Sequence, residues 1–281
     1  MQQIGHVIDG IYLEIKPMAH AYVFELKQQW KKFVGFSIIS ILIVFLQSFI
    51  MYSVIPSSLL PTTQIAYLSN GLELLSMFVL IFAACFFFSG IICTEYDKKT
   101  GYIIFPKINR FKLIVGKYFG NLTLIIGVVA VFYVTLGLFC WFYYGVSLNI
   151  LYLISFGISI LYLLAISSFV TFFSSFLRSV NITTITTIMI LFIGFNIVDQ
   201  LITVFLPDFE PIYSIQYASN LISSILEYPF SGARYTELGG FRGFSFRMWQ
   251  TPLVEVGISV MLIYMILSLI AASILFKRRQ L

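Results

Sequence analysis

Charge is scarce in this chain and crowded where it occurs. Only 10% of the 281 residues are charged, yet the stretch from Cys93 to Lys117, CTEYDKKTGYIIFPKINRFKLIVGK, holds Glu95, Asp97, Lys98, Lys99, Lys107, Arg110, Lys112 and Lys117. Fixed charges gathered between two long apolar runs suit recognition of a soluble partner, not bond making. A second polar group, Asn196, Asp199, Gln200 and Thr203, interrupts an apolar run further on. A carboxylate at membrane depth is costly unless it faces protein or water, which makes Asp199 a candidate for a translocation path or a polar helix contact. It stands about 26 Å along its helix from Ile182, near the outer headgroups, where a cap at the helix end is the plainer role.

Other chemistries lack their residues. Gly116-Lys117 is the one Gly-Lys pair, and Phe111 occupies the place where a Walker A loop needs its first glycine, so the chain is not expected to bind ATP that way. His6 and His20 are the two histidines, fourteen residues apart, and Cys85, Cys93 and Cys140 lie in or beside apolar runs, so no metal centre is expected. No span carries the carboxylate pair that a lipid-modifying metalloenzyme needs. The expectation is no catalytic residue and no cofactor in this chain.

The elements that must position these residues are membrane helices. The chain is 59% hydrophobic and 18% aromatic, with mean hydropathy +0.96, values a water-soluble domain could not carry without large exposed apolar patches. A bilayer core takes roughly 20 apolar residues as a helix. Six runs have that length: about 34–54, 72–93, 118–144, 150–177, 182–206 and 253–276. The fold class expected is an all-α integral membrane protein with six transmembrane helices. Residues 1–33 precede it, and in 21–33 Val23, Leu26, Trp30 and Phe33 recur at helical spacing while Glu25, Lys27, Gln28, Lys31 and Lys32 fill the other faces. That pattern predicts an amphipathic helix lying on the membrane surface, or else the first turns of span one.

Basic residues fix the orientation. With both termini cytosolic, fourteen of the seventeen Lys and Arg fall on the inner side and only Arg234, Arg242 and Arg247 fall outside, as the positive-inside rule requires. The net charge of +5 is then explained by orientation, and nucleic acid is not an expected partner. Residues 94–117 become an inner loop and 207–252 an outer one, within a membrane domain spanning 34–281. In the outer loop Ile215, Ala218, Ile222 and Ile225 recur with near-helical spacing, which predicts a short helix on the outer leaflet or dipping back into it.

The inner loop has its own pattern. Glu95 stands one helical turn before Lys99, a favourable ion-pair spacing. Thr100-Gly101 breaks the helix, Pro106 suits the first turn of a new short one, and Arg110 and Lys117 follow on that helix and its continuation into span three.

Glu95, Thr100-Gly101, Pro106, Arg110 and Gly116-Lys117 resemble the acidic residue, Thr-Gly pair, proline, arginine and Gly-Lys sequence found after the second span in ABC-2 type transporter permeases. The order of pieces is similar over nearly the whole chain: amphipathic elbow helix, six spans, an outer re-entrant segment between spans five and six, and a Phe-Lys-Arg-Arg ending at 276–279. The resemblance implies a permease subunit of an ABC exporter in the cell membrane. It would work as a homodimer or heterodimer with two copies of a separate cytosolic ATPase, which would bind ATP and Mg. The loop after span two would be a coupling helix seated on that ATPase: Glu95 would brace it, Gly101 and Pro106 would shape it, and Lys99, Arg110 and Lys117 would meet or support the docking surface. A permease that transmits motion to an extracytoplasmic partner without moving a solute is a variant. A membrane-embedded lipid-modifying enzyme centred on Asp199 is the alternative from another class.

Overall fold

The computed structural model describes residues 2–53, 63–97, 110–145, 147–206, 208–230, 232–239 and 245–278. It is an all-α membrane protein with six helices long and apolar enough to cross a bilayer: Pro17–Ser53, Gln64–Glu95, Phe111–Tyr144, Ile150–Phe176, Val180–Phe205 and Val254–Arg278, spans one to six. Apart from a break in span two, each closes its own backbone hydrogen bonds, the condition for crossing lipid. Their ends follow local chemistry. Thr63 caps span two by accepting from the Ala66 N–H at 3.3 Å, and Asn149 caps span four by accepting from Leu151 N–H at 3.4 Å. Span three stops at Gly145, whose φ of +65° suits a residue without a side chain. The tight turn between spans three and four follows from these two signals.

With an even number of passes, both termini lie at one end of the bundle, here called the termini end. Span two is the central helix, with 72% of its apolar window buried. It packs against spans three, four and five, while span one lies along span three and span six along span four. Span five has only 6% of its window buried, leaving Ile185, Met189, Ile193 and Ile197 exposed along one side.

The first helix differs from the expectation of a separate surface element. It runs unbroken from Gln2 to Ser53, so residues 21–33 continue span one instead of lying flat. The cause is close packing on span three. A Cβ at Gly116 would stand 2.6 Å from the Met18 carbonyl oxygen and 2.8 Å from Ala21 Cβ, and one at Gly120 would stand 3.2 Å from the Tyr22 oxygen. Two glycines one turn apart let the helix backbones meet, which is how membrane helices gain contact without a hydrophobic driving force.

Span two is not a regular helix. A π turn occupies Leu75–Val79, and a break at Ser89 separates Leu80–Phe88 from Gly90–Asp97. At the break Ser174 of span four enters the hydrogen-bond ladder. Its Oγ donates to Ser89 O at 2.8 Å and accepts from the Ile92 and Cys93 N–H groups at 3.1 and 3.2 Å. Thr184 of span five donates to Ser89 Oγ at 2.8 Å, so three spans are tied at one point. A side chain inserted into the ladder is an established cause of helix bending. Ser174→Ala removes that acceptor from two buried amides and is expected to lower stability by about 1–3 kcal/mol, read as an earlier thermal unfolding transition in detergent.

The link between spans five and six carries the helical turns Ile215–Ser219 and Leu221–Ser224 and a 3-10 turn Ile225–Glu227. Ile215, Ala218, Ile222 and Ile225, the residues that the sequence pattern selects, are all buried. These turns pack against spans two, four and six, and Ser155 of span four donates to the Ile222 carbonyl at 2.6 Å. An antiparallel hairpin follows, Tyr235–Gly239 (β1) paired with Ser245–Trp249 (β2), which the sequence reading does not anticipate.

Candidate functional site

At the termini end, span two finishes and span three starts with an ion pair across the intervening link. Lys117 Nζ donates to Glu95 Oε1, and Glu95 is only 3% exposed. The sequence reading pairs Glu95 with Lys99, which lies outside the described residues; the structure shows that Lys117 of the neighbouring span is a partner of the carboxylate. Lys99, Gly101 and Pro106, and with them the short helix expected between the spans, lie outside the described residues. Arg110 is the first residue of the helix Arg110–Tyr144, seven residues and two turns before Lys117.

A second polar tie lies one turn deeper. Asn121 Nδ2, fully buried, donates to Glu25 Oε1 at 3.2 Å and to the Phe87 carbonyl at 3.1 Å. Gln29 Nε2 donates to the same Glu25 oxygen at 3.0 Å, and Glu25 is 5% exposed. Lys32 Nζ donates to the Phe86 carbonyl at 3.1 Å. Spans one, two and three are thus fastened by charge and amide groups on the side from which the 98–109 link departs. Among the described residues of this end, no nucleophile is paired with a base. The arrangement can hold helix ends in register and pass a displacement of the link to two spans together.

At the opposite end Asp199 is engaged on both oxygens. Tyr213 OH donates to Oδ1 and Ser214 Oγ to Oδ2, each at 2.7 Å. Ser214 also caps the helix Ile215–Ser219 by accepting from Tyr217 N–H at 3.3 Å, and Tyr264 of span six donates to the Tyr213 carbonyl at 2.8 Å. Asp199 therefore fastens the end of span five to the turn after it. Of its sequence neighbours, Asn196 Nδ2 donates to the Phe192 carbonyl at 2.5 Å and Thr203 Oγ1 to the Asp199 carbonyl at 2.8 Å, both within the helix, while Gln200 is exposed. The four residues do not converge on one point. Asp199→Ala removes the acceptor of two hydroxyl groups and is expected to lower stability by about 1–3 kcal/mol, with Asp199→Asn keeping part of the loss back; thermal unfolding followed by intrinsic fluorescence reads the order of the two variants.

Other groups at this end escape the sequence reading. Arg234 pairs with Glu210, which also accepts from Tyr217 OH at 2.9 Å, and the Arg234 guanidinium lies 5.5 Å from the Trp249 ring centre. Burial, and then the Glu210 carboxylate, pushes the Tyr217 phenol above its usual range, so it stays a neutral donor through mildly alkaline pH. Arg247 pairs with Asp208 and Glu237. A polar cavity of about 370 Å³ lies between span two and the short helices, with Glu73, Ser76, Gln216, Asn220 and Glu227 among its lining residues. The aromatic and β-branched residues flanking the glycine cluster, YTELG and SFRMW, were the available signal for the hairpin.

No family model matches the chain, and no match to it is found among curated proteins.

Proposed function

We propose that this chain is the membrane-spanning subunit of an ABC-2 type transporter, exporting a substrate across the cytoplasmic membrane under the drive of a separate ATPase. The observation that carries the reading is the Glu95–Lys117 pair, which closes the base of the most basic loop in the chain and joins spans two and three there. A partner that pushes on the loop would move both spans at once. The polar ties of Glu25, Asn121 and Lys32 extend the same block to span one.

In this reading the termini end is cytosolic. The link between spans two and three is the coupling loop, held at its base by Glu95 and Lys117 within the span ends, with Lys99, Gly101, Pro106 and Arg110 at the ATPase surface. The buried turns 215–227 are the re-entrant segment of the outer side. Two ATPase copies bind ATP and Mg, and a second permease subunit completes the assembly; the bare apolar faces of spans one and five leave room for it or for lipid. Asp199 supports this reading over a lipid-modifying enzyme, because both of its oxygens are already engaged by hydroxyl donors of the adjoining turn.

Arg110→Ala tests the coupling role without disturbing the Glu95–Lys117 pair. The variant is expected to insert normally and to lose at least about ten-fold in the ATPase rate of the assembled complex, the effect of removing a charged docking contact worth about 1.4 kcal/mol or more. An unchanged rate contradicts the coupling role.

A further inference from the structure

Span three packs along span one and span six along span four, and between spans three and six a groove of about 480 Å³ stays open. Its walls include Phe111, Val115 and Phe119 of span three and Ile270 and Phe276 of span six, with Ile92 of span two and Thr171 of span four also lining it. Each hydroxyl group of this lining is engaged within the protein. Tyr118 OH bonds Ser167 Oγ at 2.8 Å, Thr171 Oγ1 donates to the Ser167 carbonyl at 2.7 Å, and Ser273 Oγ donates to the Ile270 carbonyl at 2.8 Å. The body of the groove therefore suits hydrocarbon and asks for no polar partner. From Phe111 to Phe119 it runs about 12 Å at the helical rise, most of the depth of one leaflet in a bilayer core about 30 Å thick.

Charge enters this groove at one end. Lys277, in the last turn of span six, is the charged residue of the lining, and both it and the adjacent Arg278 are exposed. Span six ends there at the level where span three begins at Phe111, so the ammonium stands at the mouth and the apolar walls run inward. Among the described residues no carboxylate lines the groove. The apolar grooves between spans one and two, three and four, and four and six have no charged lining residue at all. A lysine near a helix end carries its ammonium into the headgroup layer. Set above a channel as deep as one leaflet, it complements an anionic headgroup that trails an acyl chain, whereas a zwitterionic headgroup would bring a second cation to the same place.

We propose that the groove between spans three and six binds one anionic phospholipid of the leaflet at the termini end, with an acyl chain along the walls and the phosphate against Lys277. The site requires only that the spans cross a bilayer, and it is tested without an ATPase. The probes are phosphatidylglycerol and phosphatidylcholine with the same acyl chains, titrated onto the full chain in a neutral detergent, with bound lipid counted by native mass spectrometry. One phosphatidylglycerol is expected to bind roughly five-fold more tightly than phosphatidylcholine, the value of one lysine beside an anionic headgroup. Lys277→Gln is expected to keep phosphatidylcholine binding and lose the preference. Lys31→Gln removes an exposed charge from the same end, on span one, and is expected to leave the preference intact. Ser273→Phe and the smaller Ser273→Leu fill the groove and are expected to remove saturable binding of both lipids. Equal binding of the two lipids, equal losses from the Lys277 and Lys31 variants, saturable binding that survives both Ser273 substitutions, or no saturable binding because protein covers the groove overturns the proposal.

Discussion

Glu95→Ala is expected to lower the stability of the detergent-solubilised protein by about 3 kcal/mol, toward the lower end of what breaking a buried ion pair costs because the pair lies at the edge of the apolar layer. For a chain of this size that corresponds to a fall of roughly 6–12 °C in the thermal transition. The loss comes from the partner left behind: Lys117 keeps its charge on a side chain only 12% exposed, and its closest carboxylate is gone. Lys117→Met should do comparable damage from the other side. The double substitution Glu95→Met with Lys117→Met is expected to recover much of the stability, since two apolar side chains of similar length leave no uncompensated charge. If the chain is the proposed transporter subunit, the double variant should not recover ATP-coupled activity, because the base of the loop then lacks its fixed tie. Recovery of stability and activity together would mean that the pair is only packing.

Gly116→Leu is the second large effect expected. The Cβ position meets backbone, the Met18 carbonyl oxygen at 2.6 Å, so a side chain there cannot be accommodated by a rotamer change and must drive spans one and three apart. Overpacking of this kind costs about 3 kcal/mol or more for leucine and about 1–3 kcal/mol for Gly116→Ala. Gly35 on span one is the control, with nothing within 4 Å of its Cβ position. Gly35→Ala is expected to be neutral or stabilising by up to about 1 kcal/mol, the gain in helix propensity. Thermal unfolding of the three variants in one detergent reads the order. Equal effects at Gly116 and Gly35 would show that span one does not depend on close approach to span three.

The six spans were legible because apolar runs of this length admit few alternatives, and Asn149 and Gly145 marked the turn between spans three and four. The burial of Ile215, Ala218, Ile222 and Ile225 was legible for the same reason, a helical period in a link otherwise rich in proline and glycine. What failed was anything that joins distant residues. Local spacing points only to Lys99, outside the described residues, as a partner for Glu95, and gives no sign that Lys117 reaches the same carboxylate from the next span, across a link whose path sequence does not give. Gly116 and Gly120 match a small-residue pattern that chance supplies often in apolar helices, and only the approach of span one gives them a role. Ser174 carries no signal at all, since a serine in an apolar run looks the same whether it faces lipid or enters a neighbouring helix. Asp199 stands out in the sequence as a carboxylate in an apolar run, but its two hydroxyl partners at Tyr213 and Ser214 lie beyond the helix end. The hairpin was missed because its strands are short and separated by glycines.

The most direct measurement is ATP hydrolysis by the protein purified gently from its native membrane, with mass spectrometry of the proteins that accompany it. The account predicts a Walker-A-containing subunit in stoichiometric amount, with an ATPase rate that falls when Arg110 in the 94–117 loop is replaced. A protein that purifies alone and shows no nucleotide turnover in several mild detergents would contradict the transporter assignment.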